Sequence, residues 1–338
     1  MPQNRRFLLQ RRPDGDPVPD DFELATEETP ALDDGQFLIR NRYASLDPAM
    51  RGWMDAEGNY MPPIPLGDPV RATTIGVVED SRAEGFEKGQ WVMGLNALED
   101  YSLGASGGFT QPIDPDMVPE VTNYLSIFGA VGMTAYFGFL EVCEPREGDT
   151  VLVSGAAGAV GSLVGQLAKI HGCRAIGIAG GPDKCTRLKE QYGFDAAIDY
   201  KQFSGDEDAL AAAIGEAAPD GVDVIFENVG GVILDAGLMN LNLNARVGLC
   251  GLISEYNTEP RGARNLWQLI VKRASIRGLL VADYVDRFGE GAAKMGEWAA
   301  AGKLVVDEHV DVGLENAFDS FMRLFAGTNE GKMILKIA

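Results

Sequence analysis

The sequence predicts an α/β chain of two units: a doubly wound parallel sheet of six strands, and a second, irregular, mostly-β unit. Three observations carry this. The chain has 338 residues, more than one hydrophobic core usually spans. Up to about residue 120, Pro, Gly and Asp punctuate short apolar runs. From Thr150 onward, short β-branched runs alternate with helical stretches, the rhythm of a parallel sheet covered by helices.

In the first stretch the apolar runs at 36–40, 74–78 and 90–93 read as strands. Residues 121–140 carry no charge and are long enough to suggest a membrane span, but Asn123, Ser126, Thr134, Gly129, Gly132 and Gly138 dilute their hydrophobicity, so a buried helix at a domain junction is expected. Strands are then expected at 151–154, 174–179, 196–199, 222–226, 246–250 and 276–281, with helices at 160–171 and 183–192. Six strands make a complete dinucleotide fold. Past Gly302 the alternation stops, and 332–337 reads as a closing strand that rejoins the first unit. The expected division is 1–122 with 303–338, and 123–302.

Composition excludes several function classes. There are 50 acidic and 29 basic residues, a net charge of −21, which disfavours a phosphate-backbone partner and predicts no nucleic acid. Cys143, Cys173, Cys185 and Cys250 form no C-x-x-C pair, and the only histidines are His171 and His309, so no metal signature or disulfide framework is present. The apolar trio at 7–9 lies between arginine pairs, far short of a signal segment, and a cytoplasmic protein with no membrane partner is expected.

Gly155-Ala-Ala-Gly158-Ala-Val-Gly161 falls between a predicted strand and a predicted helix, the context that makes a glycine pattern informative. Gly158 would let the backbone approach a pyrophosphate, Gly161 would permit close helix–strand packing, and the free amides at the helix start would hold the negative charge. After the second strand, NAD-binding chains place an acid; this one has Gly180-Gly181-Pro182, followed by Lys184. The small residues leave room for a 2′-phosphate and Lys184 can reach it as a point charge, so NADPH is the expected cofactor; a solvated helix lysine is the alternative for that position.

These residues resemble the zinc-independent medium-chain dehydrogenase/reductase family, in the group of prostaglandin reductases, 2-alkenal double-bond reductases and curcumin reductases. The resemblance spans nearly the whole chain. It rests on Ser45-Leu-Asp-Pro-Ala-Met-Arg51, Thr134-Ala-Tyr-Phe-Gly138, the loop from Gly155 to Ser162, Phe226-Glu-Asn-Val-Gly-Gly231, Cys250-Gly-Leu-Ile-Ser-Glu-Tyr-Asn257 and Gly331-Lys332-Met333. It implies a GroES-like domain joined to a Rossmann domain, with a substrate cleft between them, and commonly a homodimer.

By the same resemblance, Ala157, Gly158, Ala159 and Val160 line the pyrophosphate, and Lys184 and Tyr200 flank the 2′-phosphate. Asn228 contacts the nicotinamide ribose. Cys250, Gly251, Ile253, Ser254 and Tyr256 enclose the nicotinamide, together with Leu279, Leu280, Val281 and Asn329. The implied activity is reduction of the carbon–carbon double bond of an enone or enal. Hydride reaches the β-carbon, charge develops on the carbonyl oxygen, and Tyr256 is the matching donor to that enolate; the α-carbon proton comes from Tyr256 or from water. Ala49 stands where the group usually has Tyr, and Ala130 where it often has Met, which would enlarge a substrate pocket shared with Met50; alternatively Ala49 is covered by a neighbour such as Trp53. Two other readings are kept: an NADPH quinone oxidoreductase of the same superfamily, and a non-catalytic NADPH-binding protein.

Overall fold

The computed structural model describes residues 2–337. It divides into two compact units, one comprising residues up to Leu125 with those from Glu308 onward, the other Ser126–Asp307.

The first unit is built on a seven-stranded sheet ordered Glu308–Val312, Lys332–Lys336, Gln36–Ser45, Arg71–Ser81, Trp91–Ala97 and Gln111–Pro112, with Tyr101–Ala105 also paired to Gln36–Ser45. The three apolar runs read from the sequence are parts of these longer strands. Irregularity enters as register shifts between Gln36–Ser45 and Arg71–Ser81. Gly104 leaves space for the fully buried Phe37, whose ring a Cβ there would meet at 2.4 Å. Lys332–Lys336 runs antiparallel to Gln36–Ser45, with Ile334 opposite Ser45. Two elements after Gly302 were not expected: the strand Glu308–Val312 and the helix Ala317–Ala326. Charges at Glu308 and Asp311 disguise the strand, which lies at the sheet edge, where polar side chains are tolerated. The helix buries Ala317 and Phe321 against Leu314, Met333 and Leu335.

The second unit contains a six-stranded parallel sheet. Its strands are β1 (Thr150–Val153), β2 (Arg174–Ala179), β3 (Ala196–Asp199), β4 (Val222–Glu227), β5 (Leu241–Leu249) and β6 (Ser275–Gly278). The order is β3-β2-β1-β4-β5-β6, the doubly wound arrangement of the Rossmann fold, so the reversal of direction falls between β1 and β4. The central strands β1, β2 and β4 are buried on both faces by two apolar clusters, one around Val151, Val153, Phe226 and Leu167, the other around Leu152, Ile176, Ile225 and Val247. Both faces must be covered in a parallel sheet, which explains the unbroken β-branched runs.

Three expectations need correction here. Residues 121–140 do not form one helix: a short turn at Val121–Tyr124 precedes α1 (Ala130–Phe137), and Gly138–Val142 continues in π geometry. The glycines set these bends, since a Cβ at Gly132 would lie 1.8 Å from the Ile127 carbonyl oxygen. No helix among the described residues is long and apolar enough to cross a membrane. The fifth strand starts five residues earlier than expected, at Leu241, because Asn242 and Asn244 hid its alternation. The sixth ends at Gly278, so Leu279, Leu280 and Val281 follow the strand and do not close it.

Candidate active site

β1 leads into the glycine turn and then α2 (Ala159–Ile170). Gly155 adopts φ +58°, a left-handed conformation that costs glycine little. The turn closes with the Gly158 N–H donating to the Gly155 carbonyl at 2.9 Å. A Cβ on Gly161 would come within 2.4 Å of the Gly155 oxygen and 2.8 Å of Ala156 Cα, both backbone atoms that cannot give way. Gly161 therefore allows the helix to sit directly on the turn. Gly158 is the N-cap and offers no side-chain cap. The first main-chain bond back to it comes from Ser162, so the amides of Ala159, Val160 and Gly161 have no acceptor within the helix. Gly158, Ala159 and Val160 are partly exposed and Ala157 is buried. A bare, uncapped helix start with open amides is the cradle a pyrophosphate requires.

At the end of β2, a Cβ on Gly180 would meet Lys201 Cε at 2.9 Å and Tyr200 Cε1 at 3.0 Å. Tyr200 and Lys201 thus border this strand end from the turn Tyr200–Phe203 and pack closely over Gly180. Lys184 lies in the first turn of α3 (Pro182–Glu190) and is half-buried. Two residues at this corner escaped the sequence reading. Asp199, at the end of β3, accepts from the Gly181 and Lys201 N–H groups at 2.7 and 3.1 Å, which ties its carboxylate to the backbone. Lys201 adds a cation beside Gly180; its place just past a strand end was the available signal.

One buried residue, also missed, ties the loops after β1, β4 and β5 together: Glu227, through its carboxylate to the first two and through its main-chain oxygen to the third. Glu227 is 1% exposed. Its Oε1 accepts from Ser154 Oγ, Val229 N and Gly230 N at 2.7, 2.6 and 2.7 Å. Its main-chain oxygen accepts from Cys250 N and Gly251 N at 2.9 and 3.1 Å. Asn228 donates from Nδ2 to the Ser154 carbonyl at 2.7 Å, while its own N–H donates to Ser154 Oγ at 2.8 Å. Ile253 N and Ser254 N reach the Asn228 and Val229 carbonyls at 3.1 and 3.0 Å. The loops following β1, β4 and β5 are in this way one hydrogen-bonded assembly. Burial raises the Glu227 pKa, opposed by the hydrogen bonds from Ser154, Gly230, Val229 and Asn228. Burial, with Glu227 adding to it, pushes the Cys250 thiol up to about 12, so it stays protonated and is a poor nucleophile.

Tyr256 lies within this assembly. Its phenol oxygen accepts from Leu252 N at 3.2 Å and stands 3.0 Å from where a Gly251 Cβ would be. Leu279 N donates to the Leu249 carbonyl at 3.0 Å, which places residues 279–281 beside the β5 end. In the first unit, Asn329 is buried and donates to the Gly331 carbonyl at 3.0 Å, and Ala49 is half-buried just before the turn Met50–Trp53. Met50 is 1% exposed and packs in that unit's core with Leu46, Met54 and Ile64, so it supports the turn and is not an open pocket wall. Ala130 is exposed at the start of α1. His171 caps α2, its Nδ1 2.8 Å from the Leu167 carbonyl. Among the described residues, no three His, Cys, Asp or Glu side chains are grouped to hold a metal ion.

The sheet order and the glycine turn define the class, a dinucleotide-binding oxidoreductase fold. Two family models match, described as the N-terminal domain of oxidoreductase (residues 5–111) and zinc-binding dehydrogenase (residues 159–297). The chain is 38% identical to the NADPH-dependent curcumin reductase of Escherichia coli, with 99% of this chain and 97% of that protein aligned. It is 39% identical to the NADP-dependent 2-alkenal reductase of Nicotiana tabacum, over 99% and 98%. Among solved structures, CurA from Vibrio vulnificus in complex with NADPH superposes with a TM-score of 0.92 at 40% identity, covering 99% of each chain. This chain belongs to the medium-chain dehydrogenase/reductase family, in its group of curcumin, 2-alkenal and prostaglandin reductases.

Proposed function

We propose that this protein is an NADPH-dependent reductase of the carbon–carbon double bond of α,β-unsaturated ketones and aldehydes, with Tyr256 as the group that holds the carbonyl oxygen. The observation that carries the reading is the Glu227-centred assembly, which holds Tyr256 to the same framework as the glycine turn. The named activities of the relatives support the reaction class. When bound, NADPH supplies the hydride. The open amides of Ala159, Val160 and Gly161 would hold its pyrophosphate, and Lys184 and Tyr200, with Lys201, would take the 2′-phosphate. Asn228 directs its remaining acceptor, Oδ1, toward the nicotinamide ribose. Cys250, Gly251, Ile253 and Ser254, with Leu279, Leu280 and Val281, would border the nicotinamide, and the resemblance assigns Asn329 to the same group.

The chain's chemical task is to stabilise charge that grows on the substrate oxygen as the β-carbon is reduced. A phenol can donate to that oxygen while its own oxygen keeps the Leu252 N–H, so Tyr256 is oriented before substrate arrives. Ala49 and, separately, Ala130 each present a small side chain where the group often has a larger one, which favours a bulky substrate. A homodimer in the cytoplasm completes the reading: the edge strand β6 is exposed throughout, and the neighbouring helix α4 (Trp267–Lys272) presents Trp267 and Ile270 at 68% and 66% exposure. An unpaired edge beside an apolar face suits a second copy of the chain.

The test is the loss of NADPH absorbance with a panel of enones, enals and quinones, beside NADH, for the wild type and Tyr256→Phe. Enone turnover with NADPH that is strongly reduced in the variant supports the assignment. Turnover of quinones alone, unchanged in the variant, overturns it.

A further inference from the structure

Lys332 is 2% exposed, and its ammonium serves neither the phosphate grip nor the reacting oxygen. Its Nζ donates to the Leu46 carbonyl at 2.7 Å and to Asp47 Oδ1 at 2.8 Å. The second carboxylate oxygen of Asp47 accepts from Ser45 Oγ, and the Asp47 N–H points to Met50 Sδ at 3.4 Å. The pair joins positions 285 residues apart. Burying an ammonium demands compensation, which apolar side chains would not have needed. What the pair achieves is local: it fixes the bend at which the strand Gln36–Ser45 stops and the turn carrying Ala49 begins. The Leu46 N–H also bonds the Met333 carbonyl at 3.1 Å, so the bend is held from both sides of Lys332. Three residues before Lys332 lies Asn329, folded onto Gly331.

We infer that Lys332 and Asp47 are positioning residues for the reduction, an ionic joint between a buried lysine and a half-buried aspartate that sets the turn bearing Ala49 against the loop bearing Asn329. The inference rests on the proposed enone reduction and on the roles given there to Ala49 and Asn329. The joint lies wholly in the first unit, whereas the phosphate cradle lies wholly in the second. Loosening it should disturb substrate and nicotinamide placement and leave the adenosine-phosphate grip intact. A purely structural role would not divide the effects in this way.

The experiment uses the full chain carrying Lys332→Met, Asp47→Asn, or Val92→Ala as a core control in the same unit, within the cluster of Phe37, Ile39 and Val78. Kinetics are measured with 3-penten-2-one and NADPH, affinity for 2′,5′-ADP by titration, and stability by thermal melting. Misplacement of reacting groups costs on the order of 10-fold to 100-fold, so kcat/KM is expected to fall by that factor in both joint variants. Affinity for 2′,5′-ADP should stay within about twofold, and Val92→Ala should keep its activity while folded. The inference is overturned if both joint variants keep kcat/KM within about threefold of wild type, if 2′,5′-ADP affinity falls in parallel, or if Val92→Ala loses as much activity. Should Lys332→Met fail to fold, Asp47→Glu, which keeps the charge and lengthens the arm, takes its place under the same criteria. A wild type that reduces no enone removes the proposed function and this inference together; active wild type with unaffected variants removes the inference alone.

Discussion

The turn after β1 and the loops after β4 and β5 border the same candidate site but are held by different means. The first is a matter of backbone: a positive φ at Gly155, no side chain at Gly161, and uncapped amides at the start of α2. The loop after β4 is held by a side chain, the buried Glu227, whose carboxylate gathers hydrogen bonds from Ser154, Val229 and Gly230, and the loop after β5 hangs on the main-chain oxygen of the same residue. A glycine-held turn is intolerant of any added atom. A carboxylate-held assembly depends on charge and so responds to pH.

The sharpest way to break this comparison is Gly161→Val. Its Cβ would collide with backbone at 2.4 and 2.8 Å, so NADPH affinity should drop by more than about 100-fold, or the unit should fail to fold. Nucleotide fluorescence titration and circular dichroism separate the two outcomes, and near-normal affinity would show that the turn can relax. Tyr256→Phe comes next. Removing one donor to a developing oxyanion costs about 100-fold in kcat. The Kd for NADPH should change little, because the bond from Leu252 N to the phenol lies within one loop, away from the glycine turn; equal loss of binding would make Tyr256 a structural residue.

Glu227→Gln probes the other side of the comparison. It keeps the shape but weakens three charge-assisted bonds, so NADPH affinity should fall by about 10-fold, roughly 1.4 kcal/mol. The pH dependence has a definite sign. Burial raises the Glu227 pKa, so folding favours the protonated form. The associated stability is fully present below the ordinary glutamate value, declines as pH climbs through the raised folded value, and is flat above it. Thermal melts across that window should show the decline in wild type and a shallower one in Glu227→Gln, with the similar contribution of buried Glu99 remaining. Identical profiles would mean that Glu227 does not titrate there. The smallest expected effect is that of Lys184→Ala. With Lys201 beside Gly180, loss of this partly exposed cation should weaken NADPH by only about threefold and leave NADH unaffected. A larger loss would place the 2′-phosphate on Lys184 alone.

The same contrast explains what was legible in the sequence. Gly155, Gly158 and Gly161 act through the absence of a side chain, and their spacing between a strand and a helix is local information. β2 and β3 were found with their limits because their apolar runs end at Gly180 and Asp199. Glu227 stood within a quoted motif, yet its partners lie in Ser154 and in the loop reaching Gly251, contacts that depend on β1 and β5 flanking β4. Asp199 and Lys201 were hidden in the same manner, since β3 and β2 are neighbours only in the folded sheet. Local periodicity also failed where glycines bend a continuous apolar stretch at 129–138, and where an edge strand at Glu308–Val312 carries charges.

The strand Lys332–Lys336 lies in the interior of its sheet, between Glu308–Val312 and Gln36–Ser45. During synthesis at about 5–20 residues per second, the 285 positions from Asp47 to Lys332 take roughly 14–57 s to translate. Throughout that interval the Tyr43–Ser45 end of the strand Gln36–Ser45 lacks its partner and Asp47 lacks Lys332, while Ser126–Asp307 is complete before that interval ends and can fold first. The nascent first unit is therefore the stage most in need of chaperone cover, and its maturation waits on a strand made long after the rest of its sheet.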